Sequence, residues 1–255
     1  MTDPPVTRAS DTAPLPYAPA AAATPAALDR ELPGTRAWFV GYVLWMSALA
    51  VLALWQLDRF DHGVPQALRG WLLALLAFYL SLCNVFLPLP TAWIILLAAA
   101  PGYALVENGP LRVAIVAAVS TAGTVMANLN EYHLLAWLLR FGWGRRVRNT
   151  RVYGWAARWF DRAPFQLLAL IGFIPIPVDA VRWLAILQRY PRPRFAAAYA
   201  LGRGLRYAVF AGCAVLLELT GTQVVLIQLG LVAVGVVGRL GWALVRRVWN
   251  PRAGG

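Results

Sequence analysis

Lysine is missing from this chain altogether. All 23 basic residues are arginine, against 11 acidic residues and two histidines, and charged residues fill only 13% of the 255 positions. A soluble domain carries roughly 25% charged residues, so this scarcity, beside 60% hydrophobic residues, excludes an ordinary water-soluble globule. The net charge of +12 would suggest nucleic acid in a soluble chain. Here most arginines lie between apolar segments, which is a pattern of membrane topology, and no nucleic-acid partner is expected. Cysteine is nearly absent too. Cys83 and Cys213 stand alone in apolar runs without CxxC or CxxH spacing. This argues against a disulfide framework or a zinc site and predicts two buried structural thiols.

Catalytic constellations are also lacking. No nucleophile stands with a base and an orienter, no carboxylates pair at a catalytic spacing, and "GRG" at Gly202 to Gly204 follows no strand, so a nucleotide-binding reading fails. The chain is read as no enzyme, with no cofactor and no metal. His133 lies two positions from Glu131, on a different helix face, which argues against a shared metal site.

What is present is apolar sequence in blocks. Residues 1–36, rich in proline and alanine ("DTAPLPYAPAAAATPAAL"), cannot bury enough surface to fold and are read as a disordered cytoplasmic tail. A cleaved signal peptide is not expected, because the first apolar run begins only near Ala37. Residues 37–245 form the membrane domain, and 246–255 a basic cytoplasmic tail. Within the membrane domain, Ala37 to Leu57 has the length of a bilayer-crossing helix, about 20 residues. Leu111 to Phe141 predicts a long helix whose second half is made amphipathic by Asn128, Asn130, Glu131 and His133. Phe195 to Leu219 and Val224 to Val245 predict two more spans. In the last of these, Gly235, Gly238 and Gly241 share one face and favour close packing.

Two further apolar blocks, at about 70–107 and 164–190, are broken in the same way. "NVFLPLPTAW" holds Pro88 and Pro90; "GFIPIPVDAVRW" holds Pro175 and Pro177. Proline removes a backbone donor and breaks a helix, and irregular backbone at membrane depth is tolerated only inside protein or beside a water-filled cavity. Paired interrupted segments in corresponding halves point to a midplane transport site. If both blocks are re-entrant hairpins, the N-terminal tail, the seven arginines between Arg140 and Arg162, the stretch at 189–194 and the C-terminus all face the cytoplasm. Only Arg59, Arg69 and Arg112 then lie opposite. That arrangement keeps the basic clusters together and is preferred over single crossings. The expected fold is an all-α polytopic membrane protein with transmembrane helices and two opposed Pro-broken re-entrant hairpins, resembling an inverted repeat.

The run of motifs "FLPLP", "STAGTVMANLNEYHLLAWLLRFGWG", "FIPIPVDAVRW", "YPRPRFAAAYALGRGLRY" and "AVFAG" resembles the DedA family within the VTT-domain (SNARE-associated Golgi protein) superfamily. The resemblance covers about Asn84 to Glu218. It implies a polytopic membrane protein with two opposed re-entrant hairpins that moves phospholipids or a polyprenyl-phosphate carrier across the bilayer. Pro175, Pro177 and Asp179 match the P-x-P-x-D form of one branch, and "PRPRF" with Gly202 matches the following helix. The chain departs from the pattern at the first proline motif, where Asn84 and Thr91 stand without the acidic residues common in bacterial members. Gly172 replaces an arginine that often precedes the second motif. The resemblance therefore does not carry proton coupling to the first hairpin.

Ionisable groups inside the bilayer are costly and tend to pair or to line a polar path. Asp179 and Arg182 are three apart and share a helix face, fit for an ion pair, though Asp179 could equally serve as a helix N-cap that neutralises Arg182. Arg203 and Arg206 repeat the spacing on the next span and form a cationic patch suited to a phosphate, or to snorkelling toward headgroups. Glu131 is either a proton-carrying carboxylate near the first hairpin or a residue at the aqueous edge. Glu218 is read as an interfacial charge. The expectation is a lipid translocase in which Arg182, Arg203 and Arg206 hold the phosphate. Asp179 and Glu131 then supply a coupling or gating charge, and Pro88, Pro90, Pro175 and Pro177 mark the hairpin breaks. A proton-coupled ion or small-solute transporter and a non-transporting membrane scaffold are the alternatives. Implied partners are membrane lipids with an anionic or phosphate headgroup, with a homo-oligomer left open. The all-arginine bias and alanine-rich composition suggest a bacterial plasma membrane.

Overall fold

Gly34, at a left-handed φ of 81°, turns the chain into its first helix in the computed structural model. The structure describes residues 34–62, 65–83, 90–138, 160–174 and 180–230, together with 32, 233, 234 and 242. Outside the described residues lie Pro88, Pro175, Pro177 and Asp179, most of the N-terminal tail, most of the basic loop, Gly235, Gly238, Gly241 and the C-terminal tail.

Every regular element among the described residues is helical. Helix α1 spans Thr35–Asp61 and α2 spans Pro65–Leu82. Helix α3 spans Ala92–Ala99 and is followed by a 3-10 turn at Pro101–Tyr103. Helix α4 spans Gly109–Leu138, α5 Pro164–Phe173, α6 Ala180–Leu187 and α7 Arg192–Leu216. Helix α8 covers Gly221–Gly230. At 27 and 30 residues, α1 and α4 are long and apolar enough to cross a bilayer, whose hydrocarbon core of about 30 Å needs about 20 helical residues. Only Thr35 and Leu49 of α1 are buried, while Val43, Leu44, Val51 and Leu54 are exposed. Such a continuous apolar surface suits lipid rather than water.

Local chemistry sets the helix ends. Pro65 and Pro164 occupy first helical positions, where a missing N–H costs nothing. Asn108 Oδ1 accepts the amide of Leu111 at 2.9 Å and caps α4. At α8, Thr220 and Gln223 exchange backbone-to-side-chain bonds in a capping box. The predicted first helix, Ala37 to Leu57, runs one turn longer because Asp58 to Asp61 remain helical at an exposed end.

Helices α1 and α2 are antiparallel. The Tyr42 hydroxyl donates to the Ser81 carbonyl at 2.7 Å and Trp45 Nε1 to Ser81 Oγ at 2.9 Å, while Gln56 lies beside Gly70. The chain also reverses between α2 and α3. Tyr79 meets Trp93 edge-on with ring centroids 5.8 Å apart, and Leu73 lines a small cavity with Ala98. A second reversal separates α5 from α6, since Phe160 packs on Tyr190 at 5.7 Å. In each half, helix, break, short helix and long helix follow in the same order. The two long helices, α4 and α7, run antiparallel: Tyr132 meets Phe195, Thr124 meets Tyr207, and Gly109 approaches Val215.

Glycine permits the tightest crossings. A Cβ on Gly202 of α7 would run into the Ala169 carbonyl oxygen of α5, and one on Gly123 of α4 would lie 2.8 Å from the Ala77 carbonyl oxygen of α2. Small residues let membrane helices approach closely where no hydrophobic drive exists between them.

Charge is uneven along the helix axes. Arg36, Arg162, Arg189, Arg192 and Arg194, with Asp161, lie at the end where α1 and α7 begin and α4 finishes. Asp58, Asp61, Glu107 and Glu218 lie at the other end, with Arg59, Arg69 and Arg112.

Candidate functional site

Two apolar clusters divide the interior. One gathers Tyr132, Leu135, Leu168, Leu184, Phe195 and Tyr199. The other gathers Leu76, Ile94, Ile95, Val116, Tyr207 and Ala211. Between them, α4 and α7 face each other with polar side chains. Ser120, Thr124, Asn128 and Glu131 are all buried on α4, at spacings that keep them on one face. Tyr199, Arg203 and Tyr207 recur four apart on α7. Thr124 Oγ1 and the Tyr207 hydroxyl are 2.8 Å apart and buried.

The most consequential contact joins α4 to α6. Arg182 Nη1 donates to Glu131 Oε2 in an ion pair withdrawn from solvent on both sides. The Arg182 guanidinium also sits over the Tyr199 ring, 5.5 Å from its centroid, a cation–π arrangement that favours a desolvated cation. Two charges taken out of water need this degree of compensation. Glu131 is the one carboxylate in this layer among the described residues.

This geometry gives Glu131 and Arg182 settings that the sequence did not suggest. Glu131 is not at an aqueous edge; it is fully buried and paired with Arg182 of α6. The reason is the long reach of α4, whose final turns leave α2 and α3 behind and pack on α6. Arg182 is also engaged with a carboxylate from α4, a contact that the Asp179 spacing did not suggest. Arg203 and Arg206 are half-buried on α7, with Arg206 over the Phe210 ring at 5.3 Å. The Nε atoms of both are buried without a hydrogen-bond partner among the described residues. Pro90 is exposed, and its carbonyl accepts the Tyr79 hydroxyl at 2.8 Å, which satisfies one group freed by the proline break.

A second polar cluster lies at the arginine-rich end. His133 is buried, stacked on Trp38 with centroids 5.2 Å apart. Its Nδ1 is 3.1 Å from Thr35 Oγ1 and its Nε2 is 3.5 Å from Arg192 Nη1. Thr35 Oγ1 already donates to the Leu32 carbonyl, so the histidine Nδ1–H donates to Thr35 and Nε2 faces arginine as an acceptor. That is the neutral imidazole. The cluster ties α1 to α4 and α7.

Among the described residues no three His, Cys, Asp or Glu side chains converge as metal ligands. Neither cysteine forms a disulfide, and Cys213 is exposed, not buried as expected. It falls on the outward face of α7, where an apolar thiol suits lipid contact. Sequence reasoning passed over Tyr199 and Tyr207 and gave Asn128 no role. The signal was present in the four-residue spacing of Ser120, Thr124 and Asn128 within an apolar helix. Compared with protein-family models, curated proteins and solved structures, the chain matches none.

Proposed function

We propose that this protein is a DedA-like lipid translocase, a flippase or scramblase that passes a phospholipid or polyprenyl-phosphate headgroup through the polar layer while the tails stay in lipid. The reading treats it as a polytopic protein of a bacterial plasma membrane with both termini in the cytoplasm and two re-entrant hairpins meeting from opposite faces. The observation that carries it is the row of buried polar side chains on the facing sides of α4 and α7, joined at the first apolar cluster by the Glu131–Arg182 pair. An ion pair at that depth is costly and marks a functional path in membrane proteins by default. Arg203 and Arg206 supply cationic donors for the phosphate, and the Glu131–Arg182 pair, with Asp179, supplies the gating charge. For Arg182 to reach a headgroup it must first release Glu131.

Lipid flipping in proteoliposomes tests this reading, with a fluorescent phospholipid and a polyprenyl phosphate as substrates. Wild-type protein is expected to flip at least one of them, and Arg203→Ala and Asp179→Asn to lose most of that activity. Folded wild-type protein that flips neither lipid above empty liposomes overturns it. Burial of the Glu131 carboxylate also favours a second reading, a proton-coupled transporter of small solutes. Uptake of a soluble solute that requires Glu131 would distinguish the two.

A further inference from the structure

Asn128 and Tyr199 hold no role in the translocation scheme, yet both are almost wholly withdrawn from solvent, at 2% and 1% exposure. Asn128 Nδ2, the Tyr199 hydroxyl and the Nε atoms of Arg203 and Arg206 are all buried with no hydrogen-bond partner among the described residues. A buried donor left unpaired forfeits the full cost of its desolvation, so native interiors seldom keep even one. Here four occur on successive turns of two facing helices.

Their placement follows from the contacts on either side. Along α4, Asn128 lies between Thr124, which meets Tyr207, and Tyr132, which meets Phe195. Along the antiparallel α7, Arg203 lies between those same partners. Asn128 and Arg203 therefore stand at one level, at the boundary of the two apolar clusters. Tyr199 is one turn from Arg203 and lies beneath the Arg182 guanidinium. All four orphaned groups can donate: a carboxamide N–H, a phenol O–H and two guanidinium N–H. Of the acceptors nearby, Asn130 Oδ1 sits two residues from Asn128 and so on roughly the opposite side of α4, and the Glu131 carboxylate, on the same face as Asn128, is neutralised by Arg182.

We infer that Asn128 and Tyr199 are specificity-determining residues that complete, with Arg203 and Arg206, a donor-lined, net-cationic socket for an oxyanion of the phosphate class. The inference rests on the translocase reading for its setting, and it adds the two neutral groups that choose the ligand. A deprotonated phosphate offers acceptors alone and matches such a set. An ammonium headgroup brings donors alone and adds positive charge beside two guanidiniums, and a hydroxyl, which can accept a single bond, brings no negative charge to answer them. The neutral donors also matter for charge, since a carboxylate at 128 would cancel one guanidinium.

Binding to the full-length protein in nanodiscs tests this directly, by titration calorimetry with decyl phosphate, decanol, decyltrimethylammonium and inorganic phosphate. Decyl phosphate is expected to bind, and the alcohol and the ammonium compound are not. Asn128→Asp and Tyr199→Phe should each weaken decyl phosphate by about tenfold or more, the loss of a hydrogen bond to a charged group, while Asn130→Ala leaves it unchanged. Inorganic phosphate that competes with similar strength assigns the socket to free phosphate; decyl phosphate alone binding assigns it to a lipid-borne one. Wild-type affinity in both folded variants, or equal binding of the ammonium compound, overturns the inference, because water then satisfies these donors. Flipping that is lost in Arg203→Ala but untouched in Asn128→Asp and Tyr199→Phe would leave the translocase standing without this socket. Phosphate binding that depends on both residues, in a protein that flips nothing, would keep the socket and remove the translocase.

Discussion

A carboxylate and a guanidinium withdrawn together from water hold each other in place only while both are present. Removing one partner of such a pair typically costs about 3–5 kcal/mol, whereas replacing both with apolar residues of similar size is often neutral. Glu131→Leu is therefore expected to lower thermal stability in detergent by that order, and Glu131→Leu with Arg182→Met to recover most of it. Size-exclusion profiles after heating read both. An unperturbed Glu131→Leu would mean that the pair does not form. His62, beyond the end of α1, offers a separate check. Its ring N–H donates to the Asp58 carbonyl at 2.7 Å. That bond, followed by the charge of the Asp58 carboxylate, raises its pKa above the ordinary histidine value. The added stabilisation of the charged ring is thus fully present below that ordinary value and lost as pH rises through the raised one. Asp58→Asn keeps the carbonyl and removes the charge, so an NMR titration should show only part of the elevation disappear. At this scale the sequence identified Arg182, Glu131 and the arginine pair as residues out of place in an apolar chain. It gave Glu131 no partner, because spacing along one helix is silent about which other helix arrives.

Helices here meet through backbone as much as through side chains. Gly202→Ala drives a methyl group into the Ala169 carbonyl, and is expected to cost at least the roughly 1–3 kcal/mol of an overpacked core. Gly123→Ala, whose methyl would lie 2.8 Å from the Ala77 carbonyl oxygen, should behave similarly. Gly212, further along α7, has open space where a methyl group would stand, with nothing within 4 Å. Gly212→Ala should stabilise by up to about 1 kcal/mol through helix propensity alone. Melting of the three variants side by side separates close packing from intrinsic preference, and equal effects would deny the α5–α7 crossing. The end of α7 gives a further test. Glu218 adopts a left-handed φ of 47° at a helix C-terminus, where an acid also opposes the macrodipole. Glu218→Gly is expected to stabilise by about 1 kcal/mol. Element existence was legible because apolar length and proline punctuation are written directly in the chain. The crossing points were not, since Gly202 and Gly212 look alike until a neighbouring carbonyl distinguishes them.

Across the whole molecule, the excess of arginine over acid at one end of the helix axes predicts which end faces the cytoplasm. In a background lacking Cys83 and Cys213, Asp161→Cys and Arg194→Cys should react with an impermeant thiol reagent only after permeabilisation, and Asp61→Cys and Asn108→Cys without it. Labelling of position 194 from intact cells would reverse the orientation, and labelling of 61 and 194 from one side would remove the spanning α1. The amino-acid sequence by itself determined the span-length apolar helices, the two proline-bearing motifs and the arginine bias, because solvent preference and helix breaking are sums over neighbouring residues. Only the tertiary structure decided that Glu131 meets Arg182 across 51 residues, that Asn128 stands level with Arg203, and that Gly202 carries a crossing. Those outcomes depend on which helices meet and at what height, and that choice is made when lipid-facing surfaces and buried charges are satisfied together.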